Sequence, residues 1–113
     1  MRSAQPFRLV LCTVDSERSA LAVSRALISS KLAACVNMIS NVRSIYGWKG
    51  KIEDNRELLL IVKTNARNLS SVERTIRELH QYEVPEILSV RLEKGSEPYL
   101  RWLQEETTQK RRK

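Results

Sequence analysis

Residues 34–64 read ACVNMISNVRSIYGWKGKIEDNRELLLIVKT, and the division of this stretch decides the fold. From Ala34 to Gly50 the apolar side chains follow an imperfect period of two, with Val36, Met38, Val42, Tyr46 and Trp48 on one parity. That is strand spacing, not helix spacing. Gly47 and Gly50 punctuate the run, Lys51 to Arg56 is polar, and Glu57 to Thr64 (ELLLIVKT) has an apolar centre with strand-like flanks. The whole stretch is best drawn as one long β-hairpin.

Upstream, Phe7 to Val14 (FRLVLCTV) is apolar and rich in β-branched residues, and Asp15 or Ser16 follows as a helix cap. Ala20, Val23, Ala26 and Leu27 then share a helical face that ends near Lys31. Downstream, Leu69, Val72, Ile76 and Leu79 recur at helical spacing, with Ser70 and Glu73 placed as a capping box near the start. Pro85 bars further helix, Glu86 to Leu92 (EILSVRL) reads as a strand, and Gly95, Ser96 and Pro98 introduce a last helix carrying Tyr99, Leu100, Trp102 and Leu103. The order βαββαβ plus a C-terminal helix predicts an α+β, ferredoxin-like sandwich with both main helices on one face of an antiparallel sheet.

The hairpin leaves that sheet with a problem, because Cys35, Ile39 and Ile45 oppose Val36, Met38, Val42 and Tyr46 and both faces are partly apolar. Burying the second set through association of copies is the economical solution. At 113 residues one core is expected, so residues 7–106 are read as a single domain and residues 107–113 as a basic tail without fixed structure. The net charge of +7 owes four charges to Lys110, Arg111, Arg112 and Lys113. Such a terminal run gives salt-sensitive attraction to polyanions and not specific nucleic-acid recognition. The strand Glu57–Thr64 also lacks the stacking aromatics of an RNA-binding sheet. No membrane span or secretory signal is visible, and Cys12 and Cys35 form no CxxC, so reduced thiols in a cytoplasmic protein are expected.

LAACVN at 32–37, VRSIYGWKGKIE at 42–53, Lys63 and Thr64, HQYEVPEIL at 80–88 and YLRWL at 99–103 occur in an order and spacing that resemble the CutA family of divalent-cation tolerance proteins. The resemblance runs from about Phe7 to Glu106. It implies a ferredoxin-like subunit, a homotrimer with interlocking hairpins, a role in metal-ion tolerance, and copper binding as in some members. Two departures are visible: Gln81 stands where the family motif usually has proline, and Leu79 stands where some members have a second histidine.

Thiolate and imidazole suit copper and zinc, so Cys12 and His80 are the expected metal ligands, for Cu2+ or another divalent cation, and the resemblance selects the same pair. Further donors would come from water, Glu83 or another subunit. The plainer reading makes Cys12 a small core residue and His80 a helix terminus. Cys12 and Cys35 are expected toward opposite ends of the sheet, so no intrachain pair is expected. Tyr46, Trp48, Lys63, Tyr82, Glu83 and Trp102 form a second set, suited to a small-metabolite cleft between subunits or simply to interface anchoring. By resemblance, Lys63 and Glu83 lie in a shared inter-subunit cleft. No GxSxG, HExxH, phosphate-loop or GxGxxG motif occurs, and one histidine limits acid–base schemes. The expected role is therefore a non-enzymatic metal-binding trimer; the alternative is a metabolite-sensing or scaffolding trimer resembling PII-type signalling proteins.

Overall fold

A computed structural model describes residues 1–108. Its strands are β1 (Arg2–Ser3), β2 (Phe7–Val14), β3 (Cys35–Trp48), β4 (Lys51–Asn65), β5 (Leu88–Arg91) and β6 (Lys94–Gly95). Its helices are α1 (Glu17–Ser29), α2 (Leu69–Leu79) and α3 (Glu97–Glu106). The main sheet runs β3-β4-β2-β5 with every neighbouring pair antiparallel, the ferredoxin-like arrangement.

Strand β2 sits at the centre because its alternation serves two faces. Val10, Cys12 and Val14 are sealed beneath α1 and α2, together with Leu60 and Val62 of β4, Ala20, Val23 and Leu27 of α1, and Val72 and Ile76 of α2. Ser16 starts α1 by accepting the Ser19 N–H at 3.1 Å. The start of α2 differs from the expected capping box, since Ser70 lies inside the helix and Asn68 makes no side-chain cap. Asn65, at the end of β4, instead accepts the Asn68 N–H at 2.9 Å and opens a 3₁₀ turn over Ala66–Asn68 that leads into the helix. The Asn68 and Leu69 N–H groups, the latter bonded to the Ala66 carbonyl, are thus met before Ser70 is reached.

The hairpin is longer than the apolar pattern indicates. Polar residues 51–56 belong to β4 and pair back to Trp48, around a Lys49–Gly50 turn whose φ values of 50° and 78° are both left-handed. A bulge between Ile39 and Val42, with Asn41 at φ 59°, bends the ribbon. Beyond the bulge the strands project from the helix layer, so polar residues cost nothing there, and Arg43 grips Asp54 with two bonds of 2.9 and 2.7 Å. Strand β5 is shorter than expected, spanning Leu88–Arg91 only.

Ordered packing also reaches both sides of residues 7–106. Strand β1 pairs with β6, and buried Ala4 joins Phe7, Leu100 and Leu103 in a second small core. Gly95 is required there, because a Cβ would sit 2.9 Å from Leu100 Cδ2. Thr107 is buried, its hydroxyl accepting from Asn65 Nδ2 at 2.9 Å. The remainder of the expected tail, residues 109–113, lies outside the described residues.

On the sheet face away from α1 and α2, α3 covers the end at Phe7 and Lys63, and among the described residues the rest of the face is left partly open. Cross-strand rows place Leu9 beside Val90, Leu11 beside Leu88 and Ile61, and Leu59 between Thr13 and Ile39. Leu88, Val90 and Ile39 are 57%, 42% and 44% exposed.

Candidate functional site: an acidic, aromatic cleft at the hairpin base

Where the hairpin leaves the helix layer, Thr13 of β2, Arg43 to Trp48 of β3, Glu57 of β4 and the segment after α2 enclose a cleft of about 790 Å³. Tyr46, Trp48, Tyr82, Glu57, Glu83 and Glu86 give it its chemistry. The ring of Tyr46 is tethered through its hydroxyl, which accepts from Asn55 Nδ2 at 2.9 Å.

Glu57 is the residue that the sequence set omits. It is 5% exposed, and the Tyr82 hydroxyl donates to its Oε2 at 2.6 Å. This charge-assisted bond makes a carboxylate tolerable at a nearly buried position. Burial first, then Glu57, holds the Tyr82 phenol above its ordinary range, so it stays a donor. Parity gave no signal: Glu57 shares it with Leu59 and Ile61 on the face away from α1 and α2, and its burial comes from the segment after α2 that carries Tyr82.

His80 sets the position of the segment that follows it. Its Nε2 lies 2.7 Å from the Thr13 carbonyl, and its Nδ1 lies 3.0 Å from the Tyr82 N–H. A carbonyl can only accept and an amide N–H can only donate, so the neutral ring carries its proton on Nε2 and uses its lone pair on Tyr82. The rings of His80 and Tyr82 are 4.7 Å apart.

The expected metal pair can be tested on this geometry. Cys12 has no exposure and belongs to the core; burial first, then Glu86 and Glu57, pushes its thiol up to about 12. A metal ion would have to displace the proton of this thiol and reach a side chain sealed in the core. With the His80 lone pair already committed, the two residues as folded do not fit a divalent cation. Among the described residues no group of three or more His, Cys, Asp or Glu side chains is arranged to hold one. Cys12 and Cys35 are both free thiols. The expected separation along the sheet holds, since Cys35 shares the row of Leu9, three residues from Cys12, and the two also face opposite ways: Cys12 is in a row with Leu60 on the helix side, Cys35 in one with Lys63 on the other.

The second expected set divides in two. Tyr46, Trp48, Tyr82 and Glu83 line the cleft, whereas Lys63 and Trp102 do not. Lys63 lies six residues along β4 from Glu57, about 20 Å at strand rise. Its Nζ sits 5.7 Å from the Tyr99 ring, which packs 5.4 Å from Trp102. One chain thus carries two separate aromatic and charged clusters.

Comparison with known proteins agrees with this architecture. The family profile described as CutA1 divalent ion tolerance protein matches residues 8–106. The divalent-cation tolerance protein CutA of Thermus thermophilus is 41% identical over 99 residues, which cover 88% of this chain and 96% of that one. A CutA homolog of Xenopus laevis is 43% identical over 91 residues, covering 80% of this chain and 60% of the frog protein, and this chain spans 53% of the human protein CutA. The chain therefore spans little more than half the length of these vertebrate relatives. Among solved structures, the Thermus protein superimposes with a TM-score of 0.88 at 40% identity, covering 90% of this chain and 99% of that one. CutA1 of Oryza sativa superimposes at 0.89 with 33% identity, covering 96% of this chain and 100% of that one.

Proposed function

We propose a role from one premise: the chain belongs to the CutA1 family of divalent ion tolerance proteins. On this reading it is a non-enzymatic homotrimer acting in the cellular response to divalent cations, with a ligand site completed between copies. The observation that carries the assembly is the partly open sheet face around Leu88, Val90 and Ile39; Ile45 and Ile52, 65% and 83% exposed on the other face of the projecting hairpin, add a second uncovered apolar surface. Apolar surfaces of this kind are closed by symmetric association. The separation of the Lys63, Tyr99 and Trp102 cluster from the cleft supports the same reading, since only a second copy can bring the two together.

Because Cys12 and His80 do not make a metal site within one chain, direct binding of copper or another divalent cation on this reading draws donors from more than one copy. Light scattering is expected to give the mass of about three chains. Calorimetric titration of the reduced protein with Cu2+ then tests the metal. Binding that survives a Cys12→Ser, His80→Ala double variant locates the donors elsewhere, and binding lost with the trimer intact returns them to this pair. A protein that binds no copper favours a second reading, a small-molecule-sensing trimer resembling PII-type proteins, which the size and lining of the cleft support. A cytoplasmic site of action belongs to the proposal. Relatives carry periplasmic and chloroplastic names, and cell fractionation decides between these compartments.

A further inference from the structure

We propose that the cleft at the hairpin base selects a small organic cation, a molecule with a primary ammonium or guanidinium group on an apolar stem. The inference rests on the reading of this cleft as a ligand site and adds the class of ligand.

Charge comes first. Glu57, Glu83 and Glu86 line the cleft, and Arg43 is the only lining residue of opposite sign. Arg43 is already neutralised by its two bonds to Asp54. The field of these carboxylates is felt at neighbouring groups: Glu86 and Glu57 both raise the Cys12 thiol, and Glu57 and Asp15 both raise the Tyr82 phenol. An anion entering here meets carboxylates and no free cation among the lining residues.

The walls add a second constraint. Tyr46, Trp48 and Tyr82 present ring surface beside those carboxylates, and the negative face of an aromatic ring attracts a cation. A bare divalent metal ion needs three or more converging donors, which the described residues do not supply. An organic cation needs one or two carboxylates for its charge and a ring for its stem, and a cleft of about 790 Å³ is of ligand size.

The chain itself demonstrates the recognition. Lys49, at the hairpin tip, holds its Nζ 5.6 Å from the Trp48 ring centroid and 3.8 Å from Glu83 Oε2. An ammonium thus already rests between a ring and a carboxylate at the edge of the cleft, and it competes with any incoming cation for both.

Calorimetry on the assembled protein with spermidine and arginine methyl ester as cationic probes, and citrate as the anionic one, tests the proposal. Both cations are expected to bind and citrate is not. Trp48→Leu and Glu57→Gln should each weaken cation binding about tenfold, as expected for one desolvated cation–π or charge contact, with the oligomer mass unchanged. Exposed Glu86→Gln provides a second charge variant should Glu57→Gln fold poorly. Lys49→Asn, which keeps a residue tolerant of the left-handed turn, should strengthen binding several-fold by removing the competitor. Citrate binding that is lost in Trp48→Leu would overturn the charge class while leaving the cleft a ligand site. Cation binding indifferent to all four variants would move it to another surface, and binding of neither probe class would overturn both readings.

Discussion

The two faces of the central sheet are made by the same strands with the same alternation, yet only one is complete within a single chain. On the helix side Val10, Cys12, Val14, Leu60 and Val62 have essentially no exposure. On the other side Leu88 and Val90 remain largely in water. Local pattern puts apolar residues on both faces; α1 and α2 cover one throughout, whereas among the described residues α3 reaches the other only at its Phe7 and Lys63 end. The difference teaches that apolar character alone does not distinguish a core from an interface; what distinguishes them is whether the chain has anything left to lay on the surface.

The largest effect expected from this comparison is on assembly. Val90→Lys puts a charge in the middle of the open face and should reduce the particle to single-chain mass in light scattering while far-ultraviolet dichroism is kept. An assembly that survives would mean the open face is not the interface. Next, Leu60→Ala on the covered face should cost about 3 kcal/mol in urea denaturation, from lost transfer energy and an unfilled cavity. Leu88→Ala in a dissociated variant should cost less than about 1 kcal/mol, as for other partly exposed sites. Equal costs would erase the distinction.

Alkaline pH sharpens the comparison at one residue. The Cys12 thiol is raised from 9.0 to about 12 in the folded chain, so the unfolded chain ionises first. The associated stability is complete below pH 9 and is lost as pH climbs toward 12, at up to about 1.4 kcal/mol per unit. Tyr82 contributes in the same direction above its ordinary value of 10.0, so the window from pH 9 to 10 isolates the thiol. Cys12→Ala should flatten the loss of stability in that window, and an unchanged slope would show that this thiol does not carry it. For Tyr82→Phe a cost of about 1 kcal/mol is expected, because Glu57 loses its donor but borders a solvated cleft. An effect indistinguishable from zero would show that the Tyr82–Glu57 bond does not organise this segment.

The element order, the hairpin, the Ser16 cap and the doubly apolar sheet were legible in the sequence, because each rests on spacing within about a dozen residues. The α2 cap was misread because Ser70 and Glu73 satisfy the capping-box pattern while Asn65, five residues earlier, opens a 3₁₀ turn that runs straight into the helix. Residues 51–56, with Ile52 as their one apolar side chain, gave no alternating signal because that part of the hairpin lies clear of the helix layer. Tyr46, Trp48 and Tyr82 come together in one chain, whereas Lys63, which the resemblance adds to a cleft between copies, and Trp102 lie apart from them.

By itself the sequence determined the fold class, the family and the presence of a surface that needs covering, since these follow from periodicity and from ordered motifs along the chain. Only the tertiary structure decided that Cys12 is sealed in the core, that His80 spends its lone pair on the Tyr82 amide, and that Glu57 faces Tyr82 across 25 positions of sequence. A residue's chemistry depends on its protonation and on the partners that occupy its lone pairs. Both are set by neighbours that folding brings close, and no spacing rule along the chain encodes them.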